Sequence, residues 1–200
     1  MALVITAAAT DTPVSVDEAK EQCRIVDSDT THDVLLTRLV KEATASIEIV
    51  TGAKLAPQTV RLELDTFPSG TGLDAGIDLG LYPATSITSI KYDDADGVEQ
   101  TLVEDTDYYT SLSGMYPCVS PVTYWPSTKT DKPAAVRIVM EVGYNGSPLT
   151  TAVPNDLKHA ILIRVKEYFD NAGESVTGSE VFATVSTVDA LVAMHRRYPV

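Results

Sequence analysis

The sequence predicts an α+β fold: a helical core domain of about four helices, an antiparallel β-subdomain inserted into it, and a separate C-terminal tail. Apolar residues recur at helical spacing near both ends of the chain, whereas between residues 56 and 150 the period drops to two. Of 200 residues, 44% are hydrophobic and 22% charged, which is enough apolar surface for one substantial core and too little charge for a disordered chain.

The first helix begins after Ser15, where Ser15 and Glu18 have capping-box spacing and Val16, Ala19 and Cys23 follow at helical intervals. A loop from Asp27 to Thr31 leads to a longer helix. There Leu36, Leu39, Val40, Ala43, Ile47 and Val50 form one apolar stripe, Asp29 to Thr31 offer N-caps, and Gly52 stands where a left-handed C-cap belongs. From Pro57 the pattern alternates. Val60, Leu62 and Leu64 interleave with Arg61, Glu63 and Asp65, and Ile77, Leu79 and Leu81 repeat it after a Gly-rich turn.

Ile87 to Tyr92 and Val98 to Val103 flank an Asp-Gly turn and read as a hairpin; Tyr108 to Leu112 and Ala135 to Tyr144 read as further strands. The stretch Tyr116 to Pro133 between them is rich in Pro, Ser and Thr and reads as a long surface loop. Helix returns at Pro154, an expected first-turn proline, with Leu157, Ala160, Ile161, Val165 and Tyr168 on one face, and ends at Asn171 to Gly173. A flexible segment, Glu174 to Ser186, precedes a short helix from Thr187 on which Leu191 and Met194 are expected to share a face. The expected divisions are therefore 1–55 (N-terminal helices), 56–150 (β-insert), 151–173 (third helix of the helical domain) and 174–200 (linker, short helix and tail).

The net charge is −13. Between Leu62 and Thr128 the one basic side chain is Lys91, against eleven acids: Glu63, Asp65, Asp74, Asp78, Asp93, Asp94, Asp96, Glu99, Glu104, Asp105 and Asp107. A surface of that sign repels phosphate, so specific nucleic-acid binding is not expected. No stretch approaches the roughly 20 apolar residues that cross a bilayer, and the first ten residues lack the basic start of a secretory signal, so the expected compartment is the cytoplasm with no membrane partner. Cys23 and Cys118 lie too far apart in sequence to suggest a disulfide framework or a metal site.

The common catalytic signatures, G-x-S-x-G, H-E-x-x-H, G-x-x-x-x-G-K-[ST] and G-x-G-x-x-G, do not occur. His32, His159 and His195 have no ligand spacing between them. Asp94, Asp96 and Gly97 resemble part of a calcium loop, yet Tyr92 occupies its first ligand position and no Glu stands at the twelfth, so a plain hairpin turn is expected. Glu104 and Asp107 could serve as a carboxylate pair, or simply form a solvated face. No catalytic residue, cofactor site or metal ligand is nominated, and the expectation is of a protein that is not an enzyme.

Two features point to partners. Tyr124 and Trp125, beside Pro126, could anchor another molecule or pin their own loop. Arg196, Arg197 and Tyr198 combine a basic pair with an aromatic at the end of an acidic chain, where they could dock elsewhere or cap a helix dipole.

Taken in order, several segments resemble the head-tail connector (adaptor, head-completion) family of tailed double-stranded-DNA phages, in the variety whose helical domain carries a β-rich insertion. They are Val16-Asp-Glu-Ala-Lys with Arg24-Ile-Val-Asp, Asp33-Val-Leu-Leu to Gly52, Thr59-Val-Arg-Leu-Glu-Leu, Ile87 to Gly97, Ala135-Val-Arg-Ile-Val to Val142-Gly-Tyr, Val153-Pro to Tyr168, and Ala190-Leu to Tyr198. Residues 2–13 extend the start, and Met194-His195 replaces a more usual Pro-Tyr type of pair. The resemblance implies a structural subunit of the virion neck, made in the host cytoplasm and assembled into a ring, commonly a dodecamer. Such a ring binds the portal protein on one side and a stopper or tail-completion protein on the other, and double-stranded DNA passes through its channel without specific binding. It also implies that Leu191, Met194, His195, Arg196, Arg197 and Tyr198 form a portal-docking segment. The alternatives left open are a carboxylate-based carbohydrate-active enzyme and a β-rich tail or receptor-binding module.

Overall fold

In a computed structural model that describes residues 1–146, 149–171 and 186–198, the chain divides into two compact units. The first comprises Met1–Thr10 and Ala56–Tyr144 and is built of strands; the second comprises Asp11–Leu55 and Asn145–Val200 and is helical. The fold is α+β, as the two periodicities predict. Among the described residues no helix is long and apolar enough to cross a membrane.

In the β-unit, β1 (Ala2–Ala7), β2 (Gln58–Leu64), β8 (Val136–Val142), β4 (Ala84–Asp93) and β5 (Glu99–Leu102) form an antiparallel sheet in the spatial order β1-β2-β8-β4-β5. A smaller sheet has the order β3 (Ile77–Asp78), β7 (Cys118–Pro121), β6 (Tyr108–Ser111). The central strands β2 and β8 bury alternate residues, and their register sets Val60 against Met140, Leu62 against Ile138 and Leu64 against Val136. On β4, Ile90 lies opposite Ile138 and Tyr92 opposite Val136, so one face of the large sheet becomes a continuous apolar surface. That surface shares a core cluster with Ile77, Tyr108 and Val119 of the small sheet. Each fully buried Leu, Ile or Met there contributes about 1.5–3 kcal/mol relative to exposure.

Gly143 ends β8 at φ +110°, and a Cβ at that position would stand 2.2 Å from the Ala56 carbonyl oxygen, so the close approach at the start of β2 requires glycine. The outer side of the sheet is held by charge. Asp93, almost fully buried, accepts hydrogen bonds from both Arg137 guanidinium nitrogens (2.7 and 3.3 Å) and pairs with Lys132 at 2.7 Å; Arg137 also reaches Glu99 at 3.0 Å.

In the helical unit, α1 (Val16–Cys23) starts with the expected capping box: the Glu18 amide donates to Ser15 Oγ (3.1 Å), and the Ser15 amide donates to the Glu18 carboxylate (2.8 Å). The long helix α2 (Asp33–Thr51) buries Leu36, Leu39, Val40, Ala43 and Ile47 and closes on Gly52 at φ +73°. Its N-cap is His32, with no side-chain cap, rather than a residue of Asp29 to Thr31; Asp29 Oδ1 instead takes the Thr31 amide within the preceding loop. A short α3 (Leu149–Ala152) precedes α4 (Asn155–Asp170), which buries Leu157, Ala160, Ile161 and Val165 against α1 and α2. Pro154 is the N-cap of α4, one residue before the expected place.

Three features depart from the sequence expectation. Residues 2–7 form β1 and cluster with the β-unit, although 1–55 reads as helical; the segment Ala-Leu-Val-Ile-Thr-Ala has no regular alternation of apolar and polar residues, so only its partner strand reveals it. The 116–133 stretch is not loop throughout, because Cys118–Pro121 pairs with both β3 and β6. The expected linker lies outside the described residues except for Ser186.

Candidate interaction surface

The C-terminal segment reads as a continuation of the helical unit. Here α5 (Thr187–Val192) passes into a single 3-10 turn, Ala193–His195, and packs chiefly on α4. Its buried face is Val188 and Val192, one helical turn apart, with Leu191 half-buried beside them. Met194 does not share that face: two positions after Val192 it points the opposite way and is 85% exposed.

The residues after Met194 are fixed at two helix ends. His195 Nε2 lies 2.6 Å from Asp156 Oδ2, in the first turn of α4. The Arg197 amide donates to the Thr51 carbonyl at 2.8 Å, satisfying one of the orphan carbonyls at the end of α2. Gly52 makes room for this, since a Cβ there would lie 3.3 Å from Arg197 Cβ. Burial raises the pKa of Asp156, but the hydrogen bond and charge of His195, together with backbone donors, outweigh it and hold the carboxyl below its ordinary value. Arg196 stands 4.0 Å from Asp189. Of the six residues assigned to the tail's contact surface, Met194 and Tyr198 face solvent, while Leu191, His195, Arg196 and Arg197 are half-buried.

The two aromatics of the β-unit part company. Trp125 stacks on Phe67 with ring centroids 4.6 Å apart and planes 6° from parallel, and its Nε1–H donates to the Ala75 carbonyl at 2.7 Å. It is 8% exposed and pins its own loop, whereas Tyr124 beside it is 70% exposed. Tyr124 and Val122 border a cleft that Tyr92, Thr106 and Asp107 also line.

Many acids of the 62–128 stretch are engaged in local structure. Asp94 Oδ1 accepts from the Asp96 and Val98 amides and Asp94 Oδ2 accepts from Gln100, which makes the Asp-Gly segment a hydrogen-bonded hairpin turn. Glu104 takes the Thr110 hydroxyl and Asp107 takes the Val103 amide, so this pair organises a turn. Among the described residues no cluster of three or more His, Cys, Asp or Glu has metal-binding geometry, and Cys23 and Cys118 are free thiols. His32 meets Phe169 edge to face at 5.5 Å.

No protein-family model matches this chain, and no curated protein matches its sequence. Three solved structures share its fold across 100% of this chain and 97% of theirs, at 22% sequence identity. They are a chain in the neck of an empty GTA particle computed with C6 symmetry (TM-score 0.78), a chain in the virion of a native gene transfer agent (GTA) particle (0.76), and a chain in the neck of a native GTA particle computed with C12 symmetry (0.72). At this identity the likeness is one of fold: both units of this chain, in their order along the sequence, have counterparts in those particle chains.

Proposed function

We propose that this chain is a structural neck subunit of a phage-like particle, a head-tail connector whose copies close into a ring, commonly a dodecamer, between the portal and a stopper or tail-completion protein. The observation that carries the reading is the full-length fold likeness to chains of particles whose necks were computed with C6 and C12 symmetry. In sequence, the order of segments from Val16 to Tyr198 points the same way. The carboxylates that a rival enzymatic reading would use, Glu104 and Asp107, accept hydrogen bonds from the Thr110 hydroxyl and the Val103 amide.

On this reading the subunit acts through surfaces. The segment from Leu191 to Tyr198 docks on the portal, offering Met194 and Tyr198 as apolar contacts and Arg196 and Arg197 as charges. One copy would hold weakly, because a short segment makes few contacts to set against the free energy lost on association. A ring of linked copies gains on the order of 10²- to 10⁴-fold in avidity without any new contact. The acidic body of each subunit keeps the channel from gripping the DNA that passes through, an effect limited to lumen-facing carboxylates by a Debye length of about 8 Å.

Deleting residues 195–200 tests the docking segment. The deletion removes, among other contacts, the His195–Asp156 contact and the Arg197–Thr51 hydrogen bond, together worth about 1–2 kcal/mol, so the melting temperature should fall by at least a few degrees while the chain still folds and attachment to the cognate portal is abolished. Normal attachment by the truncated chain would contradict the assignment.

A further inference from the structure

We propose that the outer edge of β1 pairs with the outer edge of β5 in the next copy of the chain, so that the five-stranded sheets of neighbouring subunits run on into one another. The inference rests on the ring reading and names its subunit contact within the β-unit.

All six residues of β1 are exposed, and none of them is charged, although the chain as a whole carries −13. Leu3 and Ile5 lie opposite Leu62 and Val60, whose side chains are buried in the core, so they sit on the core face of the sheet at its rim. Yet Leu3 is 42% and Ile5 54% exposed. An apolar edge strand with a free row of backbone donors and acceptors is a template for another strand, and proteins that stay monomeric blunt such edges with charge or proline. Here neither is present. Another extended strand pairs with such an edge through the same row of N–H and C=O groups that water otherwise hydrates.

The other end of the same sheet is β5, where Glu99, Gln100 and Thr101 are exposed. Three arguments make it the mate. A cyclic assembly needs two different surfaces on each subunit, whereas β1 against β1 would join copies only in pairs. A β5-to-β5 join would bring Glu99, with Asp94 and Asp96 beside it in the hairpin, against the same acids of the neighbour, while uncharged β1 accepts that end without repulsion. Direction is compatible too: each neighbouring pair in the sheet is antiparallel, so β1, β8 and β5 run the same way, and rotation about an axis along the strands sets β5 of one copy parallel to β1 of the next.

The test is crosslinking of assembled full-length protein carrying Val4→Cys and Thr101→Cys together, with each single variant and the parent chain as controls. A short bismaleimide spans the registers open to a four-residue strand. A ladder of crosslinked multimers from the double variant, absent from both single variants, is the expected result, and Ile5→Lys should move ring formation to higher protein concentration. Crosslinked dimers from Val4→Cys alone would overturn the proposal, because β1 would then meet its own copy. A ring that assembles normally, by native mass, yet gives no ladder would overturn it while leaving the ring reading intact. A parent chain that forms no ring with or without portal would overturn both.

Discussion

Gly143 and Trp125 show how single residues hold the β-unit to one conformation. Gly143→Ala adds a methyl 2.2 Å from the Ala56 carbonyl oxygen at φ +110°, so β8 and the start of β2 must separate. We expect a loss of about 3 kcal/mol or more, roughly 6–12 °C in melting temperature by calorimetry. Trp125→Ala removes the stack on Phe67 and the hydrogen bond to Ala75 and should cost about 3–5 kcal/mol, whereas Tyr124→Ala, at a solvent-facing side chain, should change stability by less than about 0.5 kcal/mol. Equal losses for the two variants in denaturant titration would contradict the different roles of these neighbours. The Tyr124-Trp125-Pro126 string left anchor and loop pin equally open, because nothing in three adjacent letters says that Phe67 and Ala75, some 50 residues away, converge on Trp125.

At the scale of elements, the outer face of the large sheet is tied by Asp93. Hydrogen bonds from Arg137 and Lys132, with their charges, outweigh its burial and hold its carboxyl well below the usual carboxylate range. A carboxyl depressed in the folded state lends stability that is present above its unfolded pKa, about 3.9, and is lost as pH falls through the folded value. The parent chain should therefore lose stability progressively below about pH 4, and Asp93→Asn, less stable at pH 7, should show a shallower decline in that window when melting is followed by circular dichroism. An unchanged acid slope would show that Arg137 and Lys132 do not bias this carboxyl.

Legibility from sequence followed the strength of each element's periodicity. Helices α2 and α4, the strands β2 and β8 and the β4–β5 hairpin were readable because each buries one face, which stamps a period of 3.6 or two on the residues. The Ser15 and Glu18 capping box was readable because its chemistry is local. Strand β1 was not, since all its side chains are exposed and no alternation results, and β7 was hidden in a Pro-, Ser- and Thr-rich stretch whose pairing partners are distant in sequence. The tail was legible in composition but not in pose. Its basic pair stood out against an acidic chain, whereas the burial of Val188 and Val192 and the outward turn of Met194 depend on where α4 lies.

For the whole molecule, an acidic body with a basic, aromatic segment at residues 196–198 fits the proposed role between other proteins around a DNA channel. Like charge opposes self-association, so a ring of the kind proposed would need contacts where charge is absent or paired, and the uncharged β1 edge offers one. The claim that the chain assembles as a neck subunit is tested most directly by native mass measurement, with electron microscopy, of the purified chain mixed with its cognate portal protein. A closed ring of copies, commonly a dodecamer, bound to the portal is the expected result. A chain that stays monomeric at every ratio and never joins the portal would contradict it.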